Sequence, residues 1–564
     1  MKRLPVVLFW HMHQPQYRDC LTGRYVLPWT YLHAIKDYTD MAAHLEAFPG
    51  ARAVVNFTPV LLEQLDELAQ RVAQHLKDGA ELPDPVLALL GPAAVPSAAP
   101  ERLDLLRACL RAHRKHMIER FGPYLELATL AETLASPERI AYASDQLIHD
   151  LAVWYHIAWL GETVRRSDPR VAALTEQGRG YSAAQRRELL ALLGELLGGV
   201  IPRFRRLAEG GQCELSVTPY SHPILPLLID FQAARAAAPT SPLPQHPGYP
   251  GGAARAEWHV AESLRVFNDY FGMQPQGCWP SEGAVSDAAL RLLDHFGFRW
   301  AASSSNVLRS SLAASGLAAE DPARYNRPYR LPGQKLECYF RDDALSDLIG
   351  FSYATWHGDD AAQNLAHELA QLARGYNGRD DHAVLIALDG ENAWEHYPFN
   401  GFYFLRALYA ALTEHPLLEL VTLGECVARG ITPAPLKQVV AGSWVHGTLG
   451  TWMGDAAKNA AWDLLCDAKT AFDAVVARGE LDGRQLRAAE RQLALCESSD
   501  WFWWFGDYNP PEAVSQFDQL YRRQLINLYH LLNRPAPERL SRPLSVGSGT
   551  MEHGGVMRRA FAPS

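Results

Sequence analysis

The sequence predicts an α/β fold: a barrel, or related sheet, of parallel strands with helices between them. Two observations carry this. Short, nearly unbroken apolar runs recur along the chain, the habit of strands buried on both faces, and segments of helical period (287–296, 360–374 and 402–413) lie between the later ones. Each run also stops at a polar or aromatic cluster, as barrel strands do at the face that meets ligands.

In order, the runs are 6–10 before His-Met-His-Gln-Pro, 53–57 before Thr-Pro-Val, 213–217 before Thr-Pro-Tyr-Ser-His, and 276–279 before Pro-Ser-Glu-Gly. Then come 300–303, 348–353 before Ala-Thr-Trp-His-Gly, 383–388 before Asp-Gly-Glu-Asn-Ala-Trp-Glu-His, and 418–422 before Leu-Gly-Glu. Two regions break the alternation. Residues 62–210 are helical by period and read as a large insertion between early strands. Helical period returns over 456–478, 482–497 and 511–533. The expected organisation is therefore a barrel over 1–440 carrying that insertion, a helical domain over 441–533, and a Pro-, Ser- and Gly-rich tail, 534–564, expected to be poorly ordered or strap-like.

Composition narrows the partners. Lys plus Arg number 53 against 63 Asp plus Glu, a net charge of −10 without a long basic run, which disfavours nucleic acid or an anionic membrane and suits a neutral or small substrate. The eight cysteines are scattered without CxxC or other metal-type spacing, as expected of reduced thiols. No stretch of 18 apolar residues occurs, and Met1-Lys2-Arg3-Leu4-Pro5 runs into the first strand without a small-residue cleavage site. A cytoplasmic protein is the expectation. Fifteen Trp and 22 Tyr offer faces for stacking on sugars, or core packing.

Two carboxylates stand out. Glu282 follows a short buried run and precedes Gly and a helical segment, where a barrel places its active-site groups; the competing reading is a carboxylate at a helix N-terminus, favoured by the macrodipole. Asp287 could cap that helix. Asp389 closes a strongly apolar run, and Gly390 lets the backbone turn; the competing reading is an aspartate that ties down a loop. Glu391 and Glu395 are its rivals, with supporting or sugar-hydroxyl roles. Two carboxylates on separate strand ends are what glycoside hydrolysis needs: in a retaining enzyme they stand about 5–5.5 Å apart, one attacking the anomeric carbon while the other protonates the leaving oxygen.

At the first strand, alternation puts His11 and His13 on one face. Either His13 and Gln14 bond sugar hydroxyls, or the histidines join His222, His357 and Asp359 in a metal site. Trp279, Trp356, Trp394, Trp444, Trp452 and the Trp501/Trp503/Trp504 cluster are candidate stacking platforms, with core packing as the alternative for each. Trp503 and Trp504 are adjacent, so on a helix they are not expected to face the same cleft.

Together the segments HMHQPQY, ELSVTPYSHPILPLL, GCWPSEGAVS and ALDGENAWEH resemble, in order, motifs of glycoside hydrolase family 57. FRDDALSDLIGF and SSDWFWWFGD look like its amylopullulanase and α-amylase branch. The resemblance implies an incomplete (β/α)7 barrel followed by a helical domain that closes the cleft. It also implies retaining cleavage of α-1,4 and sometimes α-1,6 glucosidic bonds in starch- or glycogen-type glucans or maltooligosaccharides, without a cofactor or metal. By position, Glu282 would be the nucleophile, Asp389 the acid/base, and His13 and His222 sugar contacts, with His11, Gln14, Glu391 and Asp500 as further substrate-binding candidates. The same site could serve a 4-α-glucanotransferase or a branching enzyme. The segment 442–452, GSWVHGTLGTW, is less acidic than that branch would lead one to expect. A metal-dependent deacetylase or amidohydrolase using His11, His13, His222 and an aspartate is the rival from another class, and a non-catalytic glucan-binding protein the third reading.

Overall fold

The computed structural model describes residues 2–92 and 94–560, and seven of its parallel strands close into a barrel. The strands of the sheet are β1 (Leu4–Met12), β2 (Ala53–Phe57), β3 (Cys213–Val217), β4 (Gly277–Cys278), β5 (Trp300–Ser304), β6 (Tyr329–Arg330), β7 (Glu337–Arg341), β8 (Val384–Asp389), β9 (Leu418–Leu420) and β10 (Ala434–Pro435). The ring runs β1-β2-β3-β4-β5-β7-β8 and back to β1, whose far edge β8 pairs from Val6↔Val384 to His11↔Asp389. β9 lies parallel to the start of β1, β6 lies antiparallel to β7, and β10 flanks β6.

The barrel interior is filled, not hollow. Val7, Phe9, Val54, Trp279, Trp300, Tyr339 and Leu385 form one buried cluster. Gly277 is forced by that packing: a Cβ there would sit 1.7 Å from the Trp300 indole.

The apolar run 348–353 is not a strand. It forms a π-helical turn, Leu348–Ser352, running into the 3-10 turn Tyr353–Thr355. The side chain of Asp342 caps the preceding helix Asp343–Asp347 by accepting from the Leu345 N–H, so the chain is already helical there, and a short apolar run does not distinguish the two states. The strand in that position is β7, which carries Glu337 and Arg341 at its ends.

Between β2 and β3 the long elements are helices, from Pro59–Asp78 to Ala183–Glu209. After the barrel come the helices Ala456–Ala477, Gly483–Cys496, Ser499–Trp504 and Pro511–Leu531. Of the two forms expected for the tail, poorly ordered or strap-like, its described residues take the second. Leu540, Met557 and Ala560 are buried, the Ala560 N–H donates to Asp347 (2.9 Å) and its carbonyl accepts from Asn306 Nδ2 (3.0 Å). Apart from the short 3-10 turns Glu538–Ser541 and Glu552–Gly555 it is irregular, and a few apolar and backbone anchors dock it as a strap; residues 561–564 lie outside the described residues. No described helix is long and apolar enough to cross a membrane.

Candidate active site

Parallel register brings the first polar layer together. His11 of β1 stands beside Asn56 of β2 on one side and Asp389 of β8 on the other, and Asn56 stands beside Ser216 of β3. His11 Nδ1 lies 2.7 Å from Asn56 Oδ1, and Asn56 Nδ2 donates to Ser216 Oγ (3.0 Å). Asp389 ends β8 with one side-chain donor, Asn392 Nδ2 at 2.8 Å. The following Gly390 has no room for a side chain: a Cβ would meet Met12 Sδ at 2.2 Å.

Glu282 lies on the 3-10 turn Ser281–Gly283 after β4, with φ 60° and ψ 21°, the left-handed region. For a glutamate this costs on the order of 1–3 kcal/mol and persists only where the surroundings enforce it. The backbone enforces it: the Ser303 hydroxyl donates to the Gly283 carbonyl (2.6 Å), and the Trp444 N–H donates to the Glu282 carbonyl (3.0 Å). The side chain is held at both oxygens, Trp444 Nε1 lying 2.9 Å from Oε2 and Ser499 Oγ 3.3 Å from Oε1. The helix after this turn is capped by Ser286; Asp287 instead accepts from the Val439 N–H at 2.7 Å.

Three histidines line the wall between the carboxyls. His222, itself at φ 68°, contacts His11 (Nε2···Nε2 3.2 Å) and Ser499 Oγ (Nδ1, 2.7 Å). His13 bonds Thr58 through Nδ1 and both Asp500 oxygens through Nε2, each at 3.0 Å. Ligand atoms of His13, His222 and Asp500 fall within 4.8 Å of one another. Yet the His13 and His222 rings are stacked, 3.9 Å apart and 17° from parallel, so their in-plane lone pairs do not converge on one ion. His357 and Asp359 are exposed, paired only with each other at 3.9 Å, and do not line the cleft. Of the residues considered for a metal site, His357 and Asp359 lie apart, while His11, His13, His222 and Asp500 are gathered in the cleft.

Burial governs the charges. It pushes Glu282 up to about 8, helped by Asp389 and Asp500 and opposed by the Trp444 and Ser499 hydrogen bonds. It pushes Asp389 up to about 6, opposed by Asn392, His13 and Arg341. Glu391 is raised well above the usual carboxylate range by burial and by Asp389. Burial and neighbouring histidines lower His11 to about 3 and hold His222 well below the ordinary value, so both rings are neutral.

Both carboxyls open into a cleft of about 460 Å³, which His11, His13, Gln14, His222, Glu391, Trp444 and Asp500 also line. Other expected platforms lie elsewhere. Trp279, Trp394, Trp452 and Trp501 are fully buried, while Trp356 is 45% exposed outside the cleft. Their indole faces are taken up by packing, as of Trp279 on Phe9 (5.0 Å) and Trp394 on Trp10 (5.9 Å). Trp503 and Trp504 both border the cleft, against expectation, because their helix ends at Trp504 and Phe505 is already extended. No local pattern shows that Trp29 and Trp159, from helices flanking the barrel's early strands, line the cleft, nor that Ser499 reaches Glu282.

A family model described as "Glycosyl hydrolase family 57" matches residues 7–436. Among solved structures, a GH57 branching enzyme from Thermococcus kodakaraensis superposes with TM-score 0.58 at 15% identity, covering 94% of this chain and 90% of that one. A GH57-type branching enzyme from Pyrococcus horikoshii gives 0.55 at 15%, over 99% and 100%. An α-amylase from Thermotoga maritima gives 0.56 at 14%, over 95% of each. At these identities the likeness speaks for the fold.

Proposed function

Because the chain belongs to glycosyl hydrolase family 57, we propose that it is a retaining α-glucan-active hydrolase in which Glu282 is the nucleophile and Asp389 the general acid/base. The observation that carries the reading is the pair itself: a buried carboxyl on the turn after β4, Glu282, and a half-buried one at the end of β8, Asp389, open into one aromatic-walled cleft. The proposed substrate is an α-1,4-linked glucan or maltooligosaccharide, with α-1,6 bonds as a second target. His13, Gln14, His222, Glu391 and Asp500 would bind its hydroxyls, and Trp444, Trp503 and Trp504 its ring faces. We assign residues 1–440 to the catalytic barrel and 441–533 to a helical domain that completes this cleft.

Chemistry requires one proton on the pair. Asp389 gives it to the glycosidic oxygen while Glu282 attacks the anomeric carbon and forms a glucosyl ester; Asp389, now ionised, then takes a proton from the water that opens the ester. Burial raises both carboxyls, so the pair shares one proton before substrate arrives. An incoming glycosidic oxygen accepts from Asp389 alone, and this draws the proton to Asp389 and frees Glu282 to attack.

The experiment is Glu282→Gln assayed on maltooligosaccharides. The expected loss is several orders of magnitude in turnover with the fold intact; wild-type turnover would end the assignment. Transfer to a second sugar is the other outcome the same pair supports, favoured by the apolar wall of Trp503, Trp504 and Phe517 beyond it, where an acceptor could displace water. Products longer than the substrate, formed from maltotriose, would identify transfer.

A further inference from the structure

The strap lies wholly beyond the family match, which ends at residue 436, yet its last turn reaches the cleft. His553, Gly554 and Gly555 are all left-handed, at φ 52°, 64° and 86°, and Gly554 and Val556 line the cleft. A Cβ at Gly554 would meet nothing within 4 Å, so the strap leaves open space there. Gly555 is tightly held. Its carbonyl accepts from Trp503 Nε1 (2.9 Å), and a Cβ would stand 3.1 Å from Asn509 Oδ1 and 3.5 Å from the Trp504 ring. Arg558 does not line the cleft. Its guanidinium lies over Trp503, 4.2 Å from the ring centroid, and over Tyr508 at 4.9 Å. The acceptors it meets are the Trp503 carbonyl (3.0 Å), Asn509 Oδ1 (3.3 Å) and Thr451 Oγ1 (3.4 Å), none of them a carboxylate. It serves as a flat cation on an indole. Both ends of the turn are fixed to loops of the site: the His553 ring packs on His396, 3.8 Å away in the loop that follows Asp389, and the Ala560 carbonyl accepts from the His446 N–H (3.2 Å), two residues after Trp444.

We infer that the strap builds a sugar subsite and thereby sets a preference for longer glucans: Gly554 and Val556 form its wall with Trp503, and Arg558 is the positioning residue that fixes the Trp503 ring. This deepens the proposed function and rests on the substrate being an α-glucan. An indole gains most from stacking on a pyranose when its orientation is already set, because no rotamer freedom is then lost on binding. Gly555 holds the Trp503 N–H and Arg558 covers the ring from outside the cleft, so both the tilt and the plane of the indole are set before a sugar arrives. With its N–H engaged, Trp503 offers the cleft apolar ring surface, which suits the C–H groups of a sugar rather than its hydroxyls. The bare backbone of Gly554 leaves the room beside it. The side-chain bonds to the two carboxyls come from Trp444, Ser499 and Asn392, not from Trp503 or the strap. The wall therefore stands beyond the sugar that reacts, where only further glucose units reach it.

The test is kcat/KM on maltotriose and on maltoheptaose for the wild type, Val556→Trp and Arg558→Ala. Val556 stands at φ −65°, ordinary backbone for any residue, so the larger side chain fills the subsite without straining the strap. The preference for maltoheptaose, taken as the ratio of the two constants, should fall about tenfold in Val556→Trp. In Arg558→Ala it should fall about three- to tenfold, through a rise in the maltoheptaose KM that exceeds any change in kcat. Arg558→Lys keeps the charge without the flat face and should not restore the preference. A ratio unchanged or raised in Val556→Trp overturns the inference, whether both sugars lose equally or neither loses. A ratio in Arg558→Ala equal to that of the wild type, or a matching loss on both sugars, overturns the role of Arg558. Should Arg558→Ala fail to fold, Val556→Trp decides alone. Failure of the α-glucan reading looks different: the wild type would turn over neither sugar, and the inference would fall with it, whereas failure of the subsite alone leaves an active enzyme still dependent on Glu282.

Discussion

Glu497 offers a sharp test of how the helical region holds its part of the cleft. Its carboxylate is 1% exposed and accepts from Tyr249 (2.6 Å), from Arg255 Nε (2.9 Å) and Nη2 (2.7 Å), and from His259 Nε2 (2.7 Å). These donors belong to Tyr249 and to the helix Gly252–Phe271, which lies between β3 and β4, so the clamp ties that helix to the segment two residues ahead of Ser499. Arg255 and His259 depress the Glu497 carboxyl from 4.5 to about 2 against the effect of burial, which corresponds to about 3 kcal/mol of folding free energy. That agrees with about 3–5 kcal/mol for breaking a buried ion pair. Glu497→Gln keeps the shape but turns an N–H toward donors, so it should lower unfolding free energy by about 3 kcal/mol at pH 7, read by urea denaturation followed by tryptophan fluorescence. The folded pKa lies below the unfolded one, so the contribution is complete above about pH 4.5 and disappears as pH falls through 2. The gap between wild type and variant should therefore shrink by more than half at pH 3. A difference under about 0.5 kcal/mol at pH 7, or one indifferent to pH, would refute the clamp.

Two further outcomes follow from the site and the barrel. For the carboxyl pair, kcat/KM should trace a bell with limbs near 6 and 8. Below the first, Glu282 and Asp389 are both protonated and there is no nucleophile; above the second, neither is and the leaving oxygen goes unprotonated. About tenfold losses at pH 5 and pH 9 are expected, and a single-limbed profile would contradict the pair. Gly277→Ala should destabilise the fold by about 1–3 kcal/mol or more, measured as a lower unfolding midpoint, because the Trp300 ring it would strike is buried and fixed by its 2.7 Å bond to Glu214; an unchanged midpoint would show that the ring can move.

Legibility divides along physical lines. A strand buried on both faces leaves an apolar run, and a functional group at its end interrupts that run, so the positions of Glu282, Asp389, His13 and His222 at the barrel mouth could be read from the chain. β7 was missed because Glu337 and Arg341 shorten its apolar stretch, while 348–353 imitates a strand in composition. Tryptophan is equally at home in a core and in a cleft, and four of the eight expected platforms proved to be core. Trp29 and Trp159 reach the cleft, and Ser499 reaches Glu282, only through tertiary folding, which no local pattern announces. The left-handed backbone at Glu282 was equally hidden, since a glutamate, unlike a glycine, carries no advertisement of it.

Matching a family model is a common way to choose where to cut a gene. The match here stops at residue 436, and a fragment trimmed to it would retain both carboxyls while discarding every side chain that bonds Glu282: Trp444 and Ser499, together with the Asp500 partner of His13. Such a piece would keep every residue the family model matches and lose its chemistry, a silent enzyme produced by the cloning boundary alone.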